Sequence, residues 1–301
     1  MVYTITLNPA IDYIVGVENL KFDDVNRTYE ETFCYGGKGI NVSAVLTRLG
    51  VKNKALGFAG GFTGRQLEKM LEDDNIVCDF NYLEKGNTRI NIKVKSQQNF
   101  EINSNGPQIG KSDIDGLLKK LEVLKQGDYA VLAGSLPPDA SSDVYELILE
   151  KLSGKGIKCI VDTTGRLLLG TLKYKPFLVK PNHIELGEIF NTFVDTEEKA
   201  VESAEKLKQM GAQNVLVSRG KDGAVLLTEN GRIFKTYNLN KKPLNCTGCG
   251  DSMVAGFIAG YIKSKDYNYA LKFGTACGNA TAFSSELATK SEIETVFKDM
   301  F

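Results

Sequence analysis

Tryptophan is absent, histidine occurs once and proline seven times in the 301 residues. The single histidine, His183, excludes a zinc site built on several imidazoles and leaves only that residue for a Ser-His-Asp arrangement. An isolated histidine is usually a surface or internally satisfied polar group, and His183 is read as one. Charge of one sign is also lacking. Lysine plus arginine total 37 and aspartate plus glutamate total 37, so the net charge is zero, and no polybasic run occurs. That argues against a dedicated nucleic-acid binder or a membrane-surface protein. Long hydrophobic runs are missing too: "MVAGFIAGYI" is too short to span a bilayer. The opening "MVYTITLNPAIDYIV" has no basic flank and carries Pro9 and Asp12, unlike a signal peptide. A cytoplasmic protein without membrane or nucleic-acid partners is expected.

Hydrophobic residues make up 42% of the chain and charged residues 25%, values that suit an ordinary globular protein. Such a chain buries enough apolar surface to fold without disulfides or structural metal. The six cysteines, Cys34, Cys78, Cys159, Cys246, Cys249 and Cys277, are scattered, several in apolar stretches. That pattern fits a reducing compartment better than a disulfide framework.

The length suits either two domains or one large α/β domain. "VYTIT" predicts a first strand, and "GINVSAVLTRLG" a helix stopped by Gly50. "KNKALGFAG", "DYAVLAG", "KCIVDTT", "FLVKPN", "NVLVSRG" and "GAVLLTENGRIFKTYN" read as strands. A helix over about 63–74, "SSDVYELILEKLSGKG" and "TEEKAVESAEKLKQMG" read as helices, and the chain beyond Gly250 as mostly helical. Alternating strands and helices predict an α/β fold with a mostly parallel sheet covered on both faces. Two segments, "DYIVGVENLKF" with "RTYEETFCYG" and "TRINIKVKSQQNFEIN", alternate at period two without a helix between. They are expected to be antiparallel strands of a small projecting sheet. Alternation puts Arg89, Asn91 and Lys93 on one face of it.

The stretch "NCTGCGDSMVAGF" holds a C-x-x-C pair, Cys246 and Cys249, before a helix. Structural zinc needs four ligands, and no second closely spaced cysteine pair exists. A thioredoxin-like pair follows an early strand, whereas this one lies late in the chain. The glycines suggest a different use. Thr247, Gly248, Cys249 and Gly250 are small residues at a helix start, where converging N–H groups and the macrodipole favour an anion. Asp251 in the first turn either caps the helix or accepts a proton from a hydroxyl during phosphoryl transfer. The same helix start is expected to lower a cysteine pKa and favour the thiolate.

A second glycine-rich helix start, "CYGGKGINVSAVL", is either a tight turn or a close approach to a polar ligand, with Lys38 and Asn41 as donors. Ser218, Gly220 and Gly223 fall in a loop after a buried strand, which by itself suits a hairpin turn. Asn182 and Glu185 lie one helical turn apart, a spacing for a helix cap or for Mg²⁺ or water. "GPQIGKS" is not a Walker A loop, because Asn105 stands where glycine is required; Ser112 is expected to cap the helix that follows. Neither Gly37-x-Gly39 nor Gly248-x-Gly250 completes a dinucleotide fingerprint.

Taken in order, "GGKGINVSAVLTRLG", "VLAGSLP", "VDTTG", "KPNHIELGE", "VSRGKDGA" and "TGCGDSMVAGF" resemble the PfkB (ribokinase-like) family of carbohydrate kinases over essentially the whole chain. The resemblance implies one ribokinase-like, Rossmann-type α/β kinase domain over residues 1–301. Its small β-sheet lid would come from insertions at about 11–35 and 88–104. It implies ATP and Mg²⁺ as cofactors and a small-molecule sugar phosphate as substrate. Asp251 would be the base, with Gly248, Cys249 and Gly250 as the anion hole. Lys180, Asn182, Ser218, Gly220, Gly223, Thr247 and Asn279 would serve the nucleotide, and Asn182 with Glu185 the Mg²⁺, through water. Asp12, Gly37, Lys38 and Asn41 would bind the sugar, and Arg27 and Arg89 its phosphate.

Within the family, "TLNPAIDYIV", "GFAGGFTG", "TRINIKVK" and "ATAFSSELAT" are most similar to kinases acting on the 6-hydroxyl of fructose 1-phosphate; those acting on tagatose 6-phosphate come next. A sugar-phosphate sensor without catalysis is the alternative from another class, and retention of Asp251 speaks against it. The family has a small or hydroxyl residue at position 246 and alanine at 249, so both cysteines depart from its pattern. Short strand insertions need a partner to cover their apolar face, which suggests a homodimer through the lid.

Overall fold

The protein is described by a computed structural model covering residues 1–138 and 140–301. The chain begins with β1 (Val2–Thr6), β2 (Ala10–Gly16), β3 (Glu30–Gly36), α1 (Lys38–Arg48), β4 (Asn53–Gly60) and α2 (Gly61–Asp73). It continues through β5 (Cys78–Leu83), β6 (Arg89–Lys95), β7 (Phe100–Ile102), α3 (Lys111–Lys120), β8 (Tyr129–Ala133) and α4 (Val144–Leu152). Then come β9 (Lys158–Asp162), α5 (Gly165–Thr171), β10 (Leu178–Val179), α6 (His183–Phe190), α7 (Glu197–Gln209) and β11 (Asn214–Ser218). The chain ends with β12 (Ala224–Leu227), β13 (Ile233–Thr236), α8 (Cys249–Ser264), α9 (Tyr267–Phe283) and α10 (Lys290–Met300).

Nine strands form the main sheet in the order β13-β12-β11-β10-β9-β8-β1-β4-β5. All pairs from β11 to β5 are parallel; only the β11–β12 and β12–β13 pairs are antiparallel. The central strands are apolar on both faces because helices cover both. Tyr3, Ile5, Ala130 and Leu132 point into a core with α3, α4, α5, α6 and α7. Val2, Tyr129, Val131 and Ala133 point into a second core with α1, α8, α9 and α10. Each fully buried leucine or isoleucine contributes about 1.5–3 kcal/mol. The run "MVAGFIAGYI" is buried as part of α8 between the sheet and α9. No helix among the described residues is long and apolar enough to cross a membrane.

From β1 the sheet grows outward both ways, through β4 to β5 and through β8 to β11. In such open sheets ligands bind beyond the carboxyl ends of the strands where the order reverses. Those ends carry Asp162 at the end of β9, Lys180 just beyond β10 and Ser218 at the end of β11.

The two insertions form one four-stranded sheet, β3-β2-β6-β7. It is not wholly antiparallel as expected, because β2 and β6, contributed by different insertions, pair in parallel. One face carries Asp12, Cys34, Asn91 and Lys93. On the other, Tyr13 stacks on Phe33 at 4.4 Å, and Val15, Val17 and Val94 form a small cluster. Ser112 does not cap α3. Gly110 is the N-cap, and Asp113 accepts its N–H at 2.8 Å, because an aspartate at the third helical position reaches back to that donor.

Candidate active site

The start of α8 is shaped by the loop before it. Asn245 Oδ1 accepts the Thr247 N–H at 2.9 Å, folding the chain into a turn at Thr247 and Gly248. Gly248 is the N-cap with φ 77°, a left-handed conformation that glycine adopts without steric cost. The N–H groups of a first helical turn lack intrahelical acceptors and point outward with the positive end of the macrodipole.

Asp251 lies in this turn and is buried, 6% exposed. Its Oδ2 accepts the Asn41 amide at 2.8 Å across the boundary between α8 and α1. Burial, reinforced by the charge of Asp162, pushes the Asp251 carboxyl up to about 6; the Asn41 hydrogen bond, Lys38 and Lys180 oppose the rise. Asp251 is thus a buried carboxylate poised near neutrality, the condition for a general base at ordinary pH. It does not merely cap the helix: Gly248 is the cap residue and no side chain caps α8.

Asp162 is fully buried, and its Oδ1 takes both Lys38 Nζ at 3.1 Å and Lys180 Nζ at 3.3 Å. Burial alone would raise this carboxyl, but Lys180 and Lys38 outweigh it and hold Asp162 below the usual carboxylate range. Burial alone would lower Lys38, but Asp162, then Asp251, raise its ammonium above its ordinary value. Lys180 also approaches the first turn of α8: a methyl at Gly250 would stand 3.4 Å from its Nζ. Two lysines and two aspartates therefore meet where the sheet ends face α8. Asp162 had no role assigned from sequence. The available signal was an aspartate ending a buried apolar strand, the position where open α/β sheets put ligand groups.

Beneath the lid is a cavity of about 820 Å³, lined among others by Asp12, Asn41, Lys93, Lys95, Asn245 and Thr247. Asp12 accepts from Asn91 Nδ2 at 2.8 Å and pairs with Lys93 Nζ at 2.7 Å. Gly37 and Lys38 lead into α1 beside it, and a methyl at Gly39 would overlap the Thr6 hydroxyl, so backbone proximity to β1 requires glycine there. The two arginines are not brought together. Arg89 donates to Asn8 O at 3.2 Å and Ser104 O at 3.3 Å, and burial lowers its pKa. Arg27 is exposed on the β2–β3 connection and is not among the cavity-lining residues. Lys93, named from sequence as part of a polar row, does line the cavity, as do Arg48 and Lys95.

On the other side of the lysine pair, Asn182 and Ser218 meet through a β-bridge. Asn182 Oδ1 accepts from Ile184 N and Glu185 N at 2.8 Å each, and Glu185 Oε2 accepts from Asn182 N at 2.8 Å. The pair is a capping box at the start of α6. Gly220 opens a short turn, and a methyl at Gly223 would overlap Thr236 O. Asn238 donates to Gly220 O at 2.6 Å, and Asn279 Nδ2 donates to Asn238 Oδ1 at 2.8 Å while its Oδ1 accepts Leu239 N at 3.1 Å. Asn279 thus fixes the loop over this side rather than pointing a free amide outward. His183 Nδ1 is buried with no hydrogen-bond partner among the described residues.

The expected thiolate is not found. Burial, with Cys246 and Asp251 adding to it, pushes the Cys249 thiol up to about 12. Its Sγ lies 3.5 Å from Asn245 O.

A buried carboxylate at a helix start, two lysines paired with Asp162 nearby and a cavity under a lid together suit phosphoryl transfer to a hydroxyl. The chain belongs to the pfkB family of carbohydrate kinases, whose model matches residues 1–294. More particularly, it is similar to the 1-phosphofructokinase of Bacillus subtilis (strain 168), with 43% identity over 300 residues, 100% of this chain and 98% of that one. It is 38% identical to the D-tagatose-1-phosphate kinase of Bacillus licheniformis, over 98% of this chain and 96% of that one. The structure of phosphofructokinase-2 from Escherichia coli in complex with fructose 6-phosphate superposes with a TM-score of 0.92 at 26% identity, over 99% of this chain and 98% of that one.

Proposed function

We propose that the protein transfers the γ-phosphoryl group of ATP to the 6-hydroxyl of fructose 1-phosphate, giving fructose 1,6-bisphosphate. The observation that carries this reading is Asp251, buried at the open start of α8 with its carboxyl raised to about 6. The sugar phosphate occupies the cavity under the lid, with Asp12 and Asn41 on its hydroxyls and Lys93 on its phosphate. ATP approaches over Ser218, Gly220 and Gly223, with its γ-phosphate toward Lys180. Asp251 takes the proton of the attacking hydroxyl. The N–H groups of Gly248, Cys249 and Gly250, with Lys38 and Lys180, neutralise the charge that spreads over the transferring group.

Oxygen donors at that end of the sheet fit Mg²⁺. Asp162 Oδ2 is buried without a hydrogen-bond partner among the described residues, and Glu185 lies close enough for its charge to act on Lys38. A hard cation takes oxygen ligands and retains water. Asp162 and Glu185 would hold it, partly through water, while Asn182 fixes Glu185 by the capping box. The ion would neutralise phosphate charge.

The lid and the main sheet act as one kinase domain over residues 1–301. Phe33, 57% exposed on the apolar lid face, favours a homodimer through that face, which light scattering of the purified protein tests.

D-tagatose 1-phosphate, epimeric at C4, is the second reading, favoured by the 38% identical relative named for it. Measuring kcat/KM for fructose 1-phosphate, tagatose 1-phosphate, tagatose 6-phosphate and fructose 6-phosphate tests both. Fructose 1-phosphate should lead; a higher value for any other would reassign the substrate.

A further inference from the structure

Cys246 and Cys249 stand on either side of the turn at Thr247 and Gly248. Cys246 is exposed at the rim of the cavity under the lid, and Cys249 is half-buried at the first position of α8. Residues spanning a four-residue turn have Cα atoms less than about 7 Å apart, and disulfides bridge Cα separations of about 4.4–6.8 Å. The two thiols lie close enough for an ionised Cys246 to raise the pKa of Cys249. Cys34 also lines the cavity, but it lies on β3 of the lid, more than two hundred residues from Cys246 in the chain. Cys277 is buried inside α9, and Cys78 and Cys159 lie on β5 and β9. Among the described residues, Cys246 and Cys249 are the cysteine pair joined by a turn beside the phosphoryl-transfer site.

We propose that Cys246 and Cys249 are a modification site for low-molecular-weight disulfides, which close the pair into a Cys246–Cys249 bond that reversibly stops phosphoryl transfer. The exposed Cys246 reacts first. It gives up its proton, its sulfur attacks R–S–S–R, a Cys246–S–S–R bond forms and RS⁻ leaves. Cys249 then loses its proton to solvent and attacks the Cys246 sulfur, and the second RS⁻ leaves. The pair loses two electrons and two protons; the reagent gains them as two RSH. The buried, weakly acidic thiol of Cys249 is a poor first nucleophile, which sets this order.

The consequence follows from what the closed ring contains. Thr247 and Gly248 lie inside it, and Gly248 carries the left-handed φ that aims the start of α8. Closure draws Cys249 Sγ away from Asn245 O and toward Cys246, so the backbone at the anion hole is reset. Small displacements of groups aligned for reaction cost on the order of 10²-fold in rate. A bound ATP γ-phosphate holds the N–H groups in place and slows closure.

Reduced protein treated with oxidised glutathione should lose the mass of two hydrogen atoms, with the bond mapped by peptide mass spectrometry to Cys246 and Cys249. Activity should fall about 10²-fold and return with dithiothreitol. ATP should slow both changes. Cys246→Ser should keep the parent's activity in the reduced state and be indifferent to oxidised glutathione. A bond from Cys246 to Cys34, a glutathione adduct that never closes, a closed pair with full activity, or equal inactivation of Cys246→Ser would each overturn the proposal. The activity arm rests on the phosphoryl-transfer reading and the mass arm does not. Reduced protein inactive on every sugar phosphate breaks that reading, whereas an active kinase whose pair stays open breaks this one.

Discussion

Of the helices that start among glycines, α1 and α8 use them to different ends. At α1 the N-cap Gly37 has φ 111°, and Gly39 lies so close to Thr6 that a methyl would overlap its hydroxyl. There the glycines let the helix press against β1, and the functional groups are the side chains of Lys38 and Asn41. At α8 a methyl on Gly250 would meet only the tip of Lys180, at 3.4 Å. There the backbone itself faces the site. A glycine at a helix start thus marks close packing at Gly39 and an open approach to Lys180 at Gly250, and only the neighbours tell them apart.

The largest effect should come from Asp251→Asn, which leaves both helix starts intact and removes the base. Turnover should fall about 10²–10⁴-fold with ATP affinity unchanged. The folded protein binds more protons than the unfolded chain between the ordinary aspartate value of 3.8 and about 6, so Asp251 makes stability fall as pH rises through that window. At pH 8 the variant, with no charge to bury, should melt no lower than the parent; calorimetry checks this. Near-parent turnover would mean that Asp251 is not the base.

Next comes a matched pair. Gly39→Ala should cost about 1–3 kcal/mol of stability through overpacking against Thr6. Gly250→Ala should leave stability unchanged or slightly higher, because alanine favours helix, yet lower kcat about tenfold by crowding the phosphate next to Lys180. Denaturant unfolding and steady-state kinetics separate the two. Equal stability losses at both glycines would erase the distinction between the helix starts.

Smaller still is Arg89→Ala. Arg89 ties β6 to Asn8 and Ser104, so its loss should raise KM for the sugar phosphate several-fold by loosening the lid, with KM for ATP nearly constant. Equal rises in both would detach Arg89 from the sugar side. The smallest expected change is in Asn41→Ala. Its amide stabilises the charged form of Asp251, so the variant's acid limb should move to higher pH by less than about one unit. An unmoved limb would separate Asn41 from the base.

The β/α rhythm was legible because buried parallel strands are continuous apolar runs, and β1 falls on the predicted "VYTIT". The glycine-rich start of α8 and the place of Asp251 in its first turn were legible because they are contiguous. Asp162 was not, because its partners come from elsewhere in the chain, Lys180 from just beyond β10 and Lys38 from the start of α1, 124 positions away. The β2–β6 pairing joins two distant insertions, and local alternation carries no sign of its direction. Asn182 and Glu185 fit a cap and a metal equally well as a spacing; the structure shows the cap. The thiolate expectation failed on magnitudes. A helix start is worth about 0.3–1 kcal/mol, under one pKa unit, whereas burial shifts groups by up to several units.

The most direct test of Asp251 as the base is the pH dependence of kcat at saturating ATP and fructose 1-phosphate, in the parent and in Asp251→Asn. Phosphate groups also titrate near pH 6, so the difference between the two profiles is decisive. The rate needs Asp251 ionised. The parent should therefore rise with pH through about 6 and level off above, while the residual activity of Asp251→Asn lacks that limb. A limb of the same position and depth in both proteins would show that the titrating group is not Asp251, and would contradict the account.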